Sequence, residues 1–197
     1  MRALLILWFL ATCAMATEIP KEANRYRANL TREAHFVLGL DAPIPMYAAQ
    51  IEQESGWRPG ITAWDNGRGL AQFMDGTTST IVALYPDLGK GDPYNPTWAI
   101  RALIRYDLWL SDRVLGNNPC QRRAAALKAY NAGLGYVKQA QKSSAHPGQW
   151  FENTEYVQTR QSPKNFEYSR QYPRWVIFKR QPKYELWGSY TCKWVAE

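Results

Sequence analysis

Tyr47-Ala48-Ala49-Gln50-Ile51-Glu52-Gln53-Glu54-Ser55-Gly56-Trp57-Arg58-Pro59 reads as the end of a buried helix and the loop that leaves it. Ile44, Tyr47, Ala48 and Ile51 recur at three- and four-residue steps, the period of one helix face. Leu40-Asp41-Ala42-Pro43-Ile44-Pro45 breaks whatever precedes it, and Pro45 suits a first helical turn, where its missing N–H costs nothing. The helix therefore runs from about Pro45 to Ser55 and stops before Gly56 and Pro59. Glu52 and Glu54 fall near opposite edges of the apolar stripe, so periodicity does not choose between them. Glu54 stands at the C-terminal end, where the negative end of the helix dipole disfavours ionisation. An aromatic setting beside Trp57 does the same by desolvation. Both effects favour a protonated carboxyl, which a general acid requires. The competing reading is an ordinary surface glutamate.

Outward from this stretch the chain continues in helical periods. Ala23, Tyr26, Leu30, Ala34 and Val37 mark a helix from Ile19 to about Gly39. Gly69 to Met74 opens a short helical stretch, and Thr78 to Leu84 is a candidate for another. Thr97 to Val114 is a long amphipathic helix with Ile100, Leu103, Ile104, Leu108 and Leu115 on one stripe. Gln121 to Ala132 follows, ended by Gly133 and Gly135. Beyond Ser143, prolines and aromatics mix with Lys and Arg. Asn165 to Arg180 is a candidate last helix, bent or interrupted at Pro173. No run of alternating strands stands out. The fold class is mainly α: a single domain at 17–142, with an irregular aromatic and basic segment at 143–197 packed on it.

At 197 residues, with 46% hydrophobic and 14% aromatic residues, the chain has globular composition. Nine Trp and twelve Tyr suit either packing or a flat surface for sugars or partners. The formal net charge of +7 attracts polyanions, including an acidic bacterial wall. No nucleic-acid motif accompanies it, so no nucleic-acid partner is expected. Arg2, the apolar run Ala3–Leu10 and the small-x-small ending Ala14-Met15-Ala16 have the form of a secretory signal peptide over residues 1–16. The destination is then the periplasm or cell envelope. A retained anchor and lipidation at Cys13 are the competing readings, with Thr12 standing where a smaller residue is usual. Cleavage leaves Cys120 and Cys192, an even pair that in an exported protein suggests one disulfide; two unpaired buried thiols are the alternative. His35 and His146 are isolated, and neither metal nor cofactor is expected.

Two more stretches bear on Glu54. Gly67-Arg68-Gly69-Leu70-Ala71-Gln72-Phe73-Met74 is a glycine-rich turn with one amide among apolar residues, and glycines let backbone approach a ligand closely. Ala129-Tyr130-Asn131-Ala132-Gly133 is a helix end carrying a phenol and an amide. In this order, Glu54-Ser55-x-Trp57-x-Pro59, Gly69-Leu70-Ala71-Gln72-Phe73-Met74 and Ala129-Tyr130-Asn131-Ala132-Gly133 resemble the lytic transglycosylases of the soluble (SLT) type. These are lysozyme-like members of glycoside hydrolase family 23, with goose-type lysozymes as cousins. The resemblance spans roughly Tyr47 to Gly135. It implies that Glu54 is the sole catalytic carboxyl, with Ser55 beside it. Gln72 and Met74 would line the saccharide groove, and Tyr130 and Asn131 would lie near the glutamate and the sugar. The pattern departs at Ala71 and Asp75, where the family has Met and Pro, and at Ala99, where its Asn stands one turn earlier as Asn95. Glu167-Tyr168-Ser169-Arg170-Gln171-Tyr172 is a blurred version of the family's last block and supports no assignment by itself.

The resemblance implies cleavage of the β-1,4 bond between N-acetylmuramic acid and N-acetylglucosamine in peptidoglycan strands, with a 1,6-anhydro product. Two rival readings stand beside it. A hydrolytic muramidase would use Asp65 or Asp75 to assist water. A non-catalytic wall-binding protein would have little need of the Glu54, Gln72 and Tyr130 set. A monomer is expected. Contact with an envelope-spanning secretion, conjugation or phage machine is an expectation by family analogy alone.

Overall fold

A computed structural model describes residues 18–192, and the signal-peptide reading of 1–16 lies outside them. Among the described residues the structure is helical, with only isolated bridges at Thr62–Arg68 and Arg68–Phe73. The helices are α1 (Lys21–Leu38), α2 (Ile44–Ser55), α3 (Asp75–Leu84), α4 (Pro96–Ser111), α5 (Pro119–Ala132), α6 (Leu134–Ser143) and α7 (Pro163–Arg174). A π-helical turn, Trp175–Arg180, and a 3₁₀ segment, Gln181–Trp187, follow α7.

Helix α2 is the axis of the molecule. All four residues of its expected stripe are buried, and so are Met46, Ala49 and Gln50. Such all-round burial requires neighbours on several sides. They are α1, the π turn and the 3₁₀ segment. The C-terminal segment therefore completes the core, contributing Tyr172, Val176, Ile177, Tyr184 and Trp187 to the same cluster as Ile44 and Ile51. Helix α2 ends on Gly56, whose φ of 58° is left-handed and whose N–H bonds Glu52 O at 3.0 Å.

Glu52 and Glu54 part company here. Glu52 receives Lys183 Nζ at 2.5 Å and the Tyr184 hydroxyl, so it anchors the C-terminal segment. Trp57 Nε1 donates to Tyr184 Oη at 2.8 Å, and the Trp57 ring is fully buried against Tyr26. The residue adopts φ 65°, a left-handed strain that these contacts offset. On α1, Ala23, Leu30 and Ala34 are buried, and Glu33 reaches Arg101 of α4 at 2.6 Å.

Three local expectations are revised. Gly69–Met74 is not helical, because Gly69 and Gln72 both hold positive φ, 69° and 52°, and the intervening carbonyls are taken by tertiary donors. Helix α3 starts only at Asp75, and it absorbs the Thr78–Leu84 segment. Helix α4 ends at Ser111, so Leu115 leaves its stripe and is 55% exposed. The break at Pro173 takes a specific form: α7 ends one residue later and widens into the π turn. Cys120, in the first turn of α5, is bonded to Cys192, with Cα atoms 5.0 Å apart, which ties the end of the described chain back to the bundle.

Candidate active site

The C-terminal end of α2, the turn Gly67–Met74, the end of α5 and the start of α7 enclose a cleft of about 580 Å³. Glu54, Asp65, Gln72, Met74, Tyr130, Asn131, Lys164, Tyr168 and Tyr172 are among its lining residues. A larger cavity of about 700 Å³ lies along α6, between Gly133 and Arg160, and holds no carboxylate. Of the two, only the first is lined by carboxyl groups, those of Glu54 and Asp65.

Glu54 is set into the wall of this cleft. Burial pushes its carboxyl up to about 7; the hydrogen bond from Tyr172 opposes this, and the negative charge of Asp65 adds to it. The Tyr172 hydroxyl donates to Glu54 Oε1. Tyr172 is itself buried, and burial together with the Glu54 charge holds its phenol well above the ordinary range, so it stays a donor. Sequence reading left it unassigned, although it lines the cleft and bonds the Glu54 carboxyl. The available signal was the spacing Glu167-x-x-Arg170-x-Tyr172, in which Arg170 and Glu167 pair at 2.5 Å along α7. Lys128 links α5 to α7 by donating to Gln161 Oε1 at 3.2 Å and to Ser169 Oγ, one turn before Tyr172.

The other expected residues separate into two groups. Gln72, Met74, Tyr130 and Asn131 stand with Glu54 around the cleft. Gln72 Nε2 donates to Gly69 O at 2.9 Å, which pins the turn. The Tyr130 hydroxyl donates to Ala71 O at 2.5 Å, and its ring packs against Phe73 and Tyr106. Met74 precedes α3 and is 48% exposed. Ser55 does not line the cleft. It is buried, with Oγ 2.9 Å from Leu70 O and 3.2 Å from Ile51 O, so it fastens the glycine turn to the end of α2. Trp57 likewise faces the core.

The two aspartates also differ. Asp65 lines the cleft and accepts Gly67 N at 3.2 Å. Asp75 opens α3 and pairs with Arg68 at 2.6 Å, and it is not among the cleft's lining residues. A third carboxyl, Asp107 of α4, is buried beside Gln50, whose Nε2 donates to it at 3.4 Å. Burial raises its carboxyl well above its ordinary value, the Gln50 hydrogen bond opposes this, and the Glu54 charge adds to it. Among the described residues no group of three or more His, Cys, Asp or Glu side chains is placed to hold a metal ion.

Residues 42–153, more than half the chain, match the family model described as the transglycosylase SLT domain, and the chain belongs to that family. The fold is similar to that of the 70 kDa soluble lytic transglycosylase SLT70 from Escherichia coli. The likeness has a TM-score of 0.59 and 24% sequence identity, and covers 82% of this chain and 24% of that one. This chain thus spans about a quarter of that protein's length. No curated protein sequence matches it. The matched family region ends before α7, so Tyr172 lies beyond it. No described helix is long and apolar enough to cross a membrane.

Proposed function

We propose that the chain is a peptidoglycan lytic transglycosylase in which Glu54 acts first as acid and then as base. The observation that carries this reading is the Glu54 carboxyl set into the cleft wall, bonded by Tyr172 and raised by burial to about 7, which keeps a large protonated fraction at neutral pH. Tyr172 occupies Oε1, leaving Oε2 to carry the proton. Oε2–H is donated to the glycosidic oxygen as the bond from that oxygen to the muramoyl C1 breaks. The Glu54 anion, supported by Tyr172, then takes the proton of the muramoyl 6-hydroxyl while O6 bonds to C1. Glu54 ends protonated, the product is a 1,6-anhydro sugar, and no water is consumed. The retaining glycosidases use the same switch of one residue from acid to base. Gln72, Tyr130 and Asn131 orient the sugar, and positioning lowers the barrier without new chemistry. No metal or cofactor takes part. Export through residues 1–16 would bring the chain to the envelope, where its substrate is.

One observation favours a second reading. Asp65 lines the same cleft, so a water held by Asp65 would give hydrolysis, whereas Asp75 is engaged by Arg68. Mass spectrometry of muropeptides released from purified sacculi separates the two. Anhydro-muropeptides are the expected product; reducing ends alone would establish the hydrolytic route, and no release would overturn both.

A further inference from the structure

The loop that leaves α2 is strapped across its neck. Thr62 and Arg68 form a bridge, Ala63 N donates to Gly67 O at 2.8 Å, and Asn66 N donates to Ala63 O at 3.0 Å. Asn66 takes φ 71°, and the Asp65 carboxylate accepts Gly67 N. The Thr62 hydroxyl lies 2.7 Å from that of Tyr94. At the tip of this braced loop stands Trp64, 96% exposed. A lone exposed apolar side chain is ordinary on a protein surface and decides nothing by itself. Trp64 differs in two respects. It lines the same cleft as Glu54, and its backbone is held on both sides, so the indole is offered at low entropic cost. The core makes no use of it, whereas every other tryptophan among the described residues is buried or half-buried. Tyr168 of α7, 56% exposed and braced edge-on by Trp175, also lines the cleft.

A β-linked N-acetylhexosamine in its chair form has an apolar C–H face, and a flat indole is its natural complement. We propose that Trp64 is the platform on which one N-acetylhexosamine ring of the glycan strand rests, making it a determinant of glycan affinity rather than of bond cleavage. This rests on the glycan-cleaving reading above. The experiment measures binding of β-1,4-linked N-acetylglucosamine oligomers by calorimetry in the Glu54→Gln background, and KM and kcat on glycan strands with Glu54 intact. Trp64→Ala weakens binding and raises KM about tenfold, the size of one lost aromatic contact. It leaves kcat within about threefold, as expected when uniform binding is removed. Trp64→Phe keeps most of the affinity. Oligomer binding shifts tryptophan emission to shorter wavelength, and the shift is absent in both Trp64 variants. Trp64 buries no side chain, so circular dichroism melts of the variants match the parent; were Trp64→Ala unfolded, Trp64→Phe with the emission readout would decide. Undiminished binding by Trp64→Ala, or a loss in kcat alone, overturns the platform while leaving the reaction intact. No glycan binding by the parent overturns both.

Discussion

The Tyr172 hydroxyl donates a hydrogen bond to Glu54 Oε1 across 118 residues of sequence. This contact joins α7, which lies beyond the matched family region, to the carboxyl at the end of α2. It stabilises the charged form of Glu54 and so opposes the effect of burial.

Removing it has a defined sign. In Tyr172→Phe the Glu54 anion loses its donor, its pKa rises further above about 7, and the alkaline limb of the kcat/KM profile moves to higher pH. The anion formed in the first step is also less stable, so kcat falls about ten- to a hundredfold, the range for a hydrogen bond to a charged group. A pH–rate profile on purified sacculi measures both effects. A limb displaced to lower pH would show that Tyr172 is not acting on Glu54.

Glu54→Gln trades activity for stability. Loss of the proposed acid–base group lowers turnover by at least about a thousandfold, seen as absent clearing on a peptidoglycan zymogram. The folded protein holds the Glu54 proton to about pH 7, whereas the unfolded chain releases it near 4.5, the ordinary value of a glutamate. Stability attributable to this group is therefore fully present below about 4.5 and is lost as pH rises through 7. The variant is spared that loss. At pH 8 its unfolding free energy exceeds that of wild type by up to about 3 kcal/mol, seen as a higher melting temperature, and the two converge below pH 4. Equal melting curves at pH 8 would place the Glu54 carboxyl in water.

Two glycine substitutions move in opposite directions. Gly69 sits at φ 69°, and a Cβ there would lie 1.8 Å from Pro93 O. Gly69→Ala forces the turn carrying Leu70, Ala71 and Gln72 to move, at a cost above about 4 kcal/mol. Gly76 lies in the first turn of α3 with nothing within 4 Å of its added methyl. Gly76→Ala stabilises by about 0.5–1 kcal/mol. Urea unfolding of both variants tests the contrast.

The Cys120–Cys192 bond closes a loop of 72 residues. On the chain-entropy account, reduction or the paired Cys→Ser variant costs about 4 kcal/mol. The variant's urea midpoint falls accordingly. An unchanged midpoint would mean that the unfolded chain is not constrained by the bond.

Local pattern determined a good part of this protein. The periods of α1, α2, α4 and α5 follow from which side chains must leave water, and Pro45, Gly56 and Gly133 mark ends that backbone sterics demand. The three ordered motifs around Glu54, Gln72 and Tyr130 were legible as well, because each lies within one short stretch. Tertiary structure decided what depends on neighbours distant in sequence. Glu52 and Glu54 are equivalent by periodicity, yet one meets Lys183 and Tyr184 while the other meets Tyr172. Ser55 and Trp57 lie beside the acid in sequence but point into the core. The Gly69–Met74 turn reads as helix locally, and only the donors arriving from Ser55 and Tyr130 hold it open. The raised pKa of Glu54 belongs to this second kind. Desolvation is the sum of every surface packed around a group, and the residues packed here come from α2, the Asp65 loop and α7, which only folding brings together.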